Sequence, residues 1–244
     1  MGPDPRLLAP LALVCAAYGC KPAADAPPSP ATARPALGLM SSLPIYWAES
    51  GDVAATLAGG GRPGWVRGAL EEHYALEPLD TLEAPRLAGV DALLLAQPRP
   101  LAPAENVALD AWVRKGGRLL LFADPMLTTP SRFPLGDKRR PQDVALLSPI
   151  LRHWGLELQF DEAQPAGERP ADAAGVAVPV ALAGRFSLLP GSGCAIAGEV
   201  LAECRLGKGR VVVLADAALL DEPDGGDSGP RRAALAALLA RAFD

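Results

Sequence analysis

The sequence predicts a single α/β domain built on a mostly parallel sheet, and three observations carry that prediction. Residues 90–96 and 118–123 are short, nearly continuous apolar runs, and residues 211–215 form a third. Such runs suit strands that are buried on both faces, as in parallel sheets. The segment between the first two runs has helical spacing, so residues 90–127 form a strand–helix–strand unit with a right-handed crossover. The chain of 244 residues is long enough for one such domain with a full core.

The helix of this unit has clear start and stop signals. Pro103 suits the first turn of a helix. Apolar residues then recur with the spacing of one helical face, up to Trp112. Lys115 sits in the last turn, and Gly116 and Gly117 end the helix. Asp124 follows the second strand directly.

The same kinds of pattern predict the remaining strands and helices. Strands are expected at residues 37–47, 76–79 and 156–160, and helices near 65–73, 148–154 and at the C-terminus. Residues 164–175 are polar and rich in proline, which predicts a loop. Residues 176–182 and 185–189 predict strands joined at Ala183 and Gly184, and residues 195–206 predict another strand pair. The second half should therefore carry a β-hairpin elaboration of a flavodoxin-like domain.

The first 36 residues read as targeting sequence rather than as part of the domain. Arg6 precedes an apolar run that is too short to span a membrane and suits a signal segment. Small residues precede Cys20, which predicts a lipoprotein cleavage site with Cys20 acylated; plain export and a cytosolic chain remain alternatives. The predicted organisation is a leader over residues 1–20, a tether rich in proline and alanine over residues 21–36, and a single α/β domain over residues 37–244.

Composition and motifs exclude several classes of function. The net charge of -5 argues against a nucleic-acid partner, which requires a basic face. Residues 59–64 match G-x-G-x-x-G, but they do not directly follow a strand, so a flexible turn is favoured over a dinucleotide site. No pattern of metal ligands is present. We therefore expect neither a cofactor nor a metal.

A longer motif carries a family resemblance. The stretch QPRPLAPAENVALDAWVRKGGRLLLFADP resembles the soluble domain of uncharacterised ABC-transport auxiliary proteins, including the gliding-motility type. The likeness continues through GDKRRPQDVALLSPILRHWGL and fades into GKGRVVVLADAALLD. The resemblance implies a three-layer, degenerate class I glutamine amidotransferase-like fold, also found in an intraflagellar transport subunit. It also implies transporter partners, an ATPase and a permease, at the periplasmic or cell-surface side of a bacterial membrane.

An enzyme of that fold would need a Cys nucleophile at a strand-to-helix elbow and a nearby His. The strand that ends at Ala123 is followed by Asp124, and the only histidines are His73 and His153, both on predicted helices. We therefore expect a non-enzymatic accessory or binding module, in effect a pseudoenzyme. The alternative is a hydrolase or amidotransferase-like enzyme with an unrecognised site.

Either function would use the carboxyl edge of the sheet, where ligands of open α/β sheets bind. We expect Asp124 and Asp216 to meet there, each directly after a strand. The same edge should carry Gln97, Arg99 and Asn106 from the strand–helix–strand unit. Two interpretations remain open for the carboxylates: capping of the following turns, or contact with a ligand or partner.

Two other groups of residues, a pair of cysteines and a basic run, also predict structural features. Cys194 and Cys204 flank a predicted turn, and in an exported chain such a pair commonly forms a disulfide; in a cytosolic chain they would be buried thiols. The run from Lys138 to Arg140 suits either a solvated loop or an acidic partner, and the solvated loop is favoured.

Overall fold

A seven-stranded sheet forms the centre of the protein. The computed structural model describes residues 34–49, 64–223 and 225–244, and residues 34–244 group as one compact unit. In order across the sheet, the strands are β2 (Ala75–Pro78), β1 (Ala36–Ser41), β3 (Ala92–Ala96), β4 (Arg118–Phe122), β11 (Gly209–Leu214), β10 (Leu201–Leu206) and β9 (Cys194–Ile196). The pairs from β2 to β11 are parallel, and the pairs of β10 with β11 and β9 are antiparallel. The prediction of a mixed α/β domain with a large, mostly parallel sheet is confirmed.

The strand–helix–strand unit lies in the middle of this sheet, as predicted. It consists of β3 (Ala92–Ala96), α3 (Pro103–Arg114) and β4 (Arg118–Phe122), and the two strands pair in parallel. Gly117 is required where the helix ends, because a Cβ atom there would lie 2.4 Å from the ring of Trp112. The Trp112 indole N–H donates to the carbonyl of Val90 at 3.0 Å, which ties the helix to the start of β3.

Strands and helices alternate around the unit. β1 (Ala36–Ser41) and β2 (Ala75–Pro78) complete one side of the sheet, with α1 (Trp65–Glu71) between them. β1 lies in the stretch of residues 37–47 that was predicted to carry the first strand, and it ends at Ser41, where Ser41, Ser42 and Pro44 were expected to mark the end. The other helices lie before and after the central strands: α2 (Ala84–Leu87), α4 (Ser148–Trp154) and α5 (Gly229–Phe243).

Helices cover both faces of the sheet. One core contains Leu94 and Leu120 from the sheet with Leu70 of α1 and Leu238 of α5. The other core contains the alternate residues of the same strands, together with α2, α3 and α4. This division explains why the central strands are apolar throughout, since each successive side chain enters one core or the other. Among the described residues, no helix is long and apolar enough to cross a membrane.

The second half adds antiparallel strand pairs, as predicted. The pair predicted over residues 195–206 is present, whereas the strands over residues 176–189 do not have the predicted partners. β5 (Leu156–Gln159) pairs with β8 (Arg185–Leu188), and β6 (Arg169–Ala173) pairs with β7 (Val176–Val180). The prediction of a loop over residues 164–175 is therefore wrong for residues 169–173, which form β6. Alternate burial of Ala171 and Ala173 makes this segment a strand. The predicted joining of residues 176–182 and 185–189 does not make a hairpin, because each strand takes another partner.

β9 (Cys194–Ile196), β10 (Leu201–Leu206) and β11 (Gly209–Leu214) follow as an antiparallel meander. Cys194 and Cys204 lie directly opposite each other in the register of β9 and β10. Their sulfur atoms are joined as a disulfide that spans ten residues of sequence. The pairing is thus compatible with the fold, and the disulfide in the protein from its own host stays a prediction.

We expect non-reducing peptide mapping of the mature protein to recover Cys194 and Cys204 in one cross-linked peptide pair. Replacing both by alanine should lower the free energy of unfolding by about 2–3 kcal/mol, because the unfolded chain gains loop entropy. Two free thiols in the protein isolated from its own host would contradict the prediction and would agree with a reducing compartment.

Candidate functional site

Three polar side chains meet at the carboxyl edge of the sheet. Gln97 directly follows β3, and Asp124 and Asp216 lie two residues after the ends of β4 and β11, at the edge that the sequence predicted. All three are deeply buried, with exposed fractions of 0%, 1% and 0%. Buried polar groups must find hydrogen-bond partners, so the partners show what these residues do.

Gln97 joins three segments of the chain. Its side-chain oxygen accepts the backbone N–H of Asp124 at 2.9 Å. Its side-chain nitrogen donates to the backbone carbonyls of Asp124 at 3.0 Å and Gln142 at 2.8 Å. The Gln97 backbone has a φ of 46°, a left-handed conformation that is uncommon outside glycine. Its carbonyl in turn accepts the hydroxyl of Ser42, which also accepts the N–H of Gln142.

The two aspartates cap backbone turns. Asp124 accepts the N–H of Met126 at 2.8 Å and, through its other oxygen, the N–H of Ala217 at 3.1 Å. Asp216 accepts the N–H of Ala218 at 2.7 Å and that of Ala181 at 2.9 Å. Each carboxylate therefore holds its own turn and also a second segment that crosses the edge. The contacts agree with the capping interpretation, and the burial leaves these side chains no direct access to a ligand.

Burial changes the acidity of this group of carboxyls. It raises the pKa of Asp216 above its ordinary value, and the nearby charge of Asp124 raises that pKa further. Burial also raises the pKa of Asp124, although the N–H groups of Met126 and Ala217 partly oppose the shift. The pKa of the neighbouring Asp221 is raised by burial as well. A protonated carboxyl still accepts hydrogen bonds, although one of its oxygens then also carries a donor O–H.

Arg99 and Asn106 do not join this cluster. Arg99 makes a bidentate ion pair with Glu105, with N–O distances of 2.7 and 2.8 Å, and also donates to the carbonyl of Asp80. The sequence predicts Arg99 near the edge carboxylates, whereas its partner, Glu105, lies in the first turn of α3. Its hydrogen bonds lower the pKa of Glu105 to about 2. The Asn106 amide donates to the carbonyls of Leu101 and Ala102, immediately before the same helix.

No nucleophile–base pair appears at this edge among the residues that the structure describes. Cys194 and Cys204 lie on the antiparallel strands and are joined to each other. His73 follows α1 and His153 lies in the last turn of α4, both exposed, and His153 approaches Asp110 at 3.4 Å. Within the described ranges, no group of three or more His, Cys, Asp or Glu side chains is arranged to hold a metal ion. Of the predicted turn at residues 59–64, residues 59–63 lie outside the described residues, and Gly64 directly precedes α1.

A family model described as "ABC-type uncharacterized transport system" matches residues 34–170, more than half of the chain. The chain belongs to this transport family. The match includes β1 to β5 together with the Gln97 and Asp124 turns, so the family covers the central unit of the fold. The sequence matches no curated protein.

Solved structures resemble the fold at low sequence identity. The mmIFT52 N-terminal domain aligns with a TM-score of 0.51 and 14% identity, over 83% of this chain and 96% of that domain. Gan42B, a GH42 beta-galactosidase from G. stearothermophilus, aligns with a TM-score of 0.50 and 10% identity. That alignment covers 85% of this chain and 30% of the galactosidase chain. At such identities, the likeness of the transport-family chain to these proteins concerns the fold alone.

Two clefts open at the carboxyl edge, on either side of the turn at Leu43 and Pro44. One, of about 310 Å³, lies between α1 and the start of α5 and contains Asp221 and Arg231. The other, of about 330 Å³, is lined by Tyr46, Trp47 and Phe133 among others. Sequence reasoning did not find either cleft, because both depend on how the loops after β1 and β4 fold over the sheet.

Several residues of the edge were also missed by sequence reasoning. Glu105 is the third residue of α3, and its carboxylate accepts the N–H of Ala102 at 2.8 Å. A glutamate at that position of a helix is a known capping signal, so the sequence contained the clue. Ser42 and Gln142 carried no such signal, because they meet only through the fold, 100 residues apart in sequence.

Proposed function

We propose that this member of the transport family is a non-enzymatic accessory or binding module of an ABC-type transport system, with an ATPase and a permease as its system partners. One observation carries the proposal: the polar groups at the carboxyl edge are buried and held by backbone hydrogen bonds. Gln97, Asp124 and Asp216 fix the positions of loops, and those loops present a surface. A scaffold of this kind suits recognition of a partner.

The fold supports a degenerate class I glutamine amidotransferase-like domain in which the chemistry has been lost. In an enzyme of that fold, the nucleophile would follow β4. In this chain Asp124 lies there, and its two oxygens accept the N–H groups of Met126 and Ala217. The raised pKa values of Asp124 and Asp216 are the one observation that favours the alternative, a hydrolase with an unrecognised site. Their complete burial weighs against it, because a general acid or base must reach the substrate.

The proposed location is the periplasmic or cell-surface side of a bacterial membrane, with a lipid anchor at Cys20. Residues 1–33 lie outside the described residues, so the support for the anchor comes from the sequence pattern. The proposed domain organisation, with a leader over 1–20, a tether over 21–36 and a domain over 37–244, follows the same reasoning. A soluble periplasmic form is the alternative.

Affinity purification of the full-length protein from solubilised membranes of its own host tests the function. We expect the permease of an ABC-type transporter to co-purify, together with its ATPase, in amounts that exceed those of unrelated membrane proteins. A purified protein that hydrolyses amides or glycosides, with turnover lost in Asp124→Asn, would overturn the non-enzymatic assignment. Absence of any transporter subunit would overturn the transport role.

Lipidation is tested separately. We expect mass spectrometry of the mature N-terminus to show a diacylated or triacylated Cys20, and we expect Cys20→Ser to move the protein from the membrane fraction to the soluble fraction. Each acyl chain on Cys20 would contribute about 0.8 kcal/mol per methylene group buried in the bilayer, which accounts for the expected strong partitioning into the membrane fraction. A mature chain that starts elsewhere and carries no lipid would favour the soluble periplasmic form.

A further inference from the structure

Exposed apolar side chains are concentrated on the loops at the carboxyl edge. Eight large hydrophobic residues are exposed among the described residues, and five of them lie on the segments that follow β1 and β4. These five are Trp47, Met126, Leu135, Val144 and Leu146, which we call the edge apolar surface. Exposed apolar patches on soluble proteins mark interaction sites more often than single scattered residues do.

Backbone pairing makes part of this surface continuous. The N–H of Leu127 donates to the carbonyl of Asp143 at 2.9 Å, and the N–H of Ala145 donates to the carbonyl of Asp124 at 2.8 Å. These bonds bring Met126 alongside Val144. Ala145 and Leu147 are buried, whereas Val144 and Leu146 alternate with them and are exposed. The two segments therefore form a short ladder with an apolar outer side.

The tip of the loop displays a leucine on an ordered turn. The N–H of Asp137 donates to the carbonyl of Pro134 at 3.1 Å, and Gly136 has a φ of 84°. This geometry is a tight turn whose third residue must be left-handed, which suits glycine. Leu135 occupies its corner with 84% of its surface exposed, the largest exposed fraction among the described large hydrophobics.

A concave feature adjoins the surface. The cleft of about 330 Å³ has Trp47 and Phe133 in its walls. The Glu49 carboxylate accepts the Ser131 hydroxyl at 2.7 Å and the Arg132 N–H at 2.9 Å, which fixes the two loops against each other. Trp47 is 63% exposed. An aromatic cleft of this size accepts a protruding side chain, which favours a protein partner over the flat surface of a bilayer.

The charge of the loop identifies the chemistry of the partner. Residues 128–147 contain four basic and two acidic residues, a net charge of +2, in a chain whose net charge is -5. Lys138 and Arg139 are exposed beside the Leu135 turn. Arg139 lies over the ring of Phe133 at 4.1 Å and is paired with Asp137 at 2.7 Å, so a partner's carboxylate would share Arg139 with Asp137. A basic rim around apolar residues on an acidic molecule selects an acidic surface with apolar side chains.

We propose that the edge apolar surface docks the permease subunit of the transporter, through an acidic and apolar segment that the permease exposes outside the membrane. This inference rests on the proposed function and names the surface that performs it. The cleft takes an apolar or aromatic side chain of that segment, and Lys138 and Arg139 pair with its carboxylates.

Site-specific photo-crosslinking in the full-length protein tests the proposal. A photoreactive amino acid replaces Leu135 or Leu146, and in control proteins it replaces Leu188 or Ile196, which are exposed apolar residues on β8 and β9. We expect adducts with the permease from the first two positions in yields about tenfold above those of the controls, since contact energies concentrate in few residues. Adducts with a second copy of this chain, with lipid, or equally from all four positions would overturn the proposal.

Charge reversal provides the second arm. The double variant Lys138→Glu and Arg139→Glu should reduce the adduct yield by about tenfold and remove its dependence on salt. Lys208→Glu, an exposed lysine at the turn between β10 and β11, should leave the yield unchanged. If the permease co-purified but adducts arose only from positions 188 and 196, the edge apolar surface would be refuted as the docking site and the transport role would stand. If the permease did not co-purify with the wild-type protein, the transport role itself would be refuted.

Discussion

Replacement of Gln97 by alanine is expected to lower the free energy of unfolding by about 2–5 kcal/mol, because two buried backbone groups lose their partners. The N–H of Asp124 loses the Gln97 side-chain oxygen, and the carbonyl of Gln142 loses the side-chain nitrogen. The carbonyl of Asp124 keeps the N–H of Ala145 at 2.8 Å and is not counted. Urea unfolding at pH 7 measures the loss.

Two further variants separate the hydrogen bonds from other effects. Gln159→Ala removes a glutamine from an exposed position on β5 and should change stability by less than about 0.5 kcal/mol. Gln97→Gly removes the same hydrogen bonds but relieves the left-handed backbone by about 1 kcal/mol, so it should be less damaging than alanine. A loss below about 1 kcal/mol for Gln97→Ala would show that the Gln97 network does not hold the edge together.

The central unit of the fold was predictable because its signals are local. Residues 90–96 and 118–123 are uniformly apolar, and Gly116 and Gly117 stop the helix between them. Neighbouring parallel strands then end at the same edge, so Gln97 and Asp124 had to meet. A turn signal of the same local kind placed Cys194 and Cys204 on paired strands, where they lie opposite each other.

Other features depended on contacts that no local pattern encodes. Arg99 follows Gln97 closely in sequence, yet it turns to Glu105, because the start of α3 brings that carboxylate within bidentate reach. β6 contains a proline and charged residues, so its strand character emerges only through pairing with β7. The complete burial of Asp216 depends on the chain after β7, whose Ala181 donates to it. From the sequence alone, an aspartate after a strand is expected at the surface, because no local pattern shows that the segment after β7 covers Asp216.

The stability of the protein is expected to fall as the pH rises from about 5 to about 8, which is opposite to the usual behaviour of paired carboxylates. The folded pKa values of Asp124 and Asp216 are raised above the ordinary 3.8. Their stabilising contribution is therefore complete below that ordinary value and is lost as the pH rises through the raised folded values. Glu105, whose pKa is lowered to about 2, contributes above its ordinary 4.5 and loses this contribution only in stronger acid. Together, these groups place the stability maximum near pH 4.

Urea unfolding between pH 4 and pH 9 tests this expectation in the wild type and in Asp216→Asn. A tenfold difference in acid dissociation constant corresponds to about 1.4 kcal/mol, so we expect the wild type to lose about 2 kcal/mol or more across this window. Asp216→Asn should be less stable than the wild type at pH 5, because its amide cannot accept from both Ala181 and Ala218. Its pH dependence should be shallower, since one buried carboxyl no longer ionises. Asp91→Asn, at an exposed position, should follow the wild-type curve. A wild-type stability that rises from pH 5 to pH 8 would show that these aspartates ionise in the folded protein as readily as in the unfolded chain.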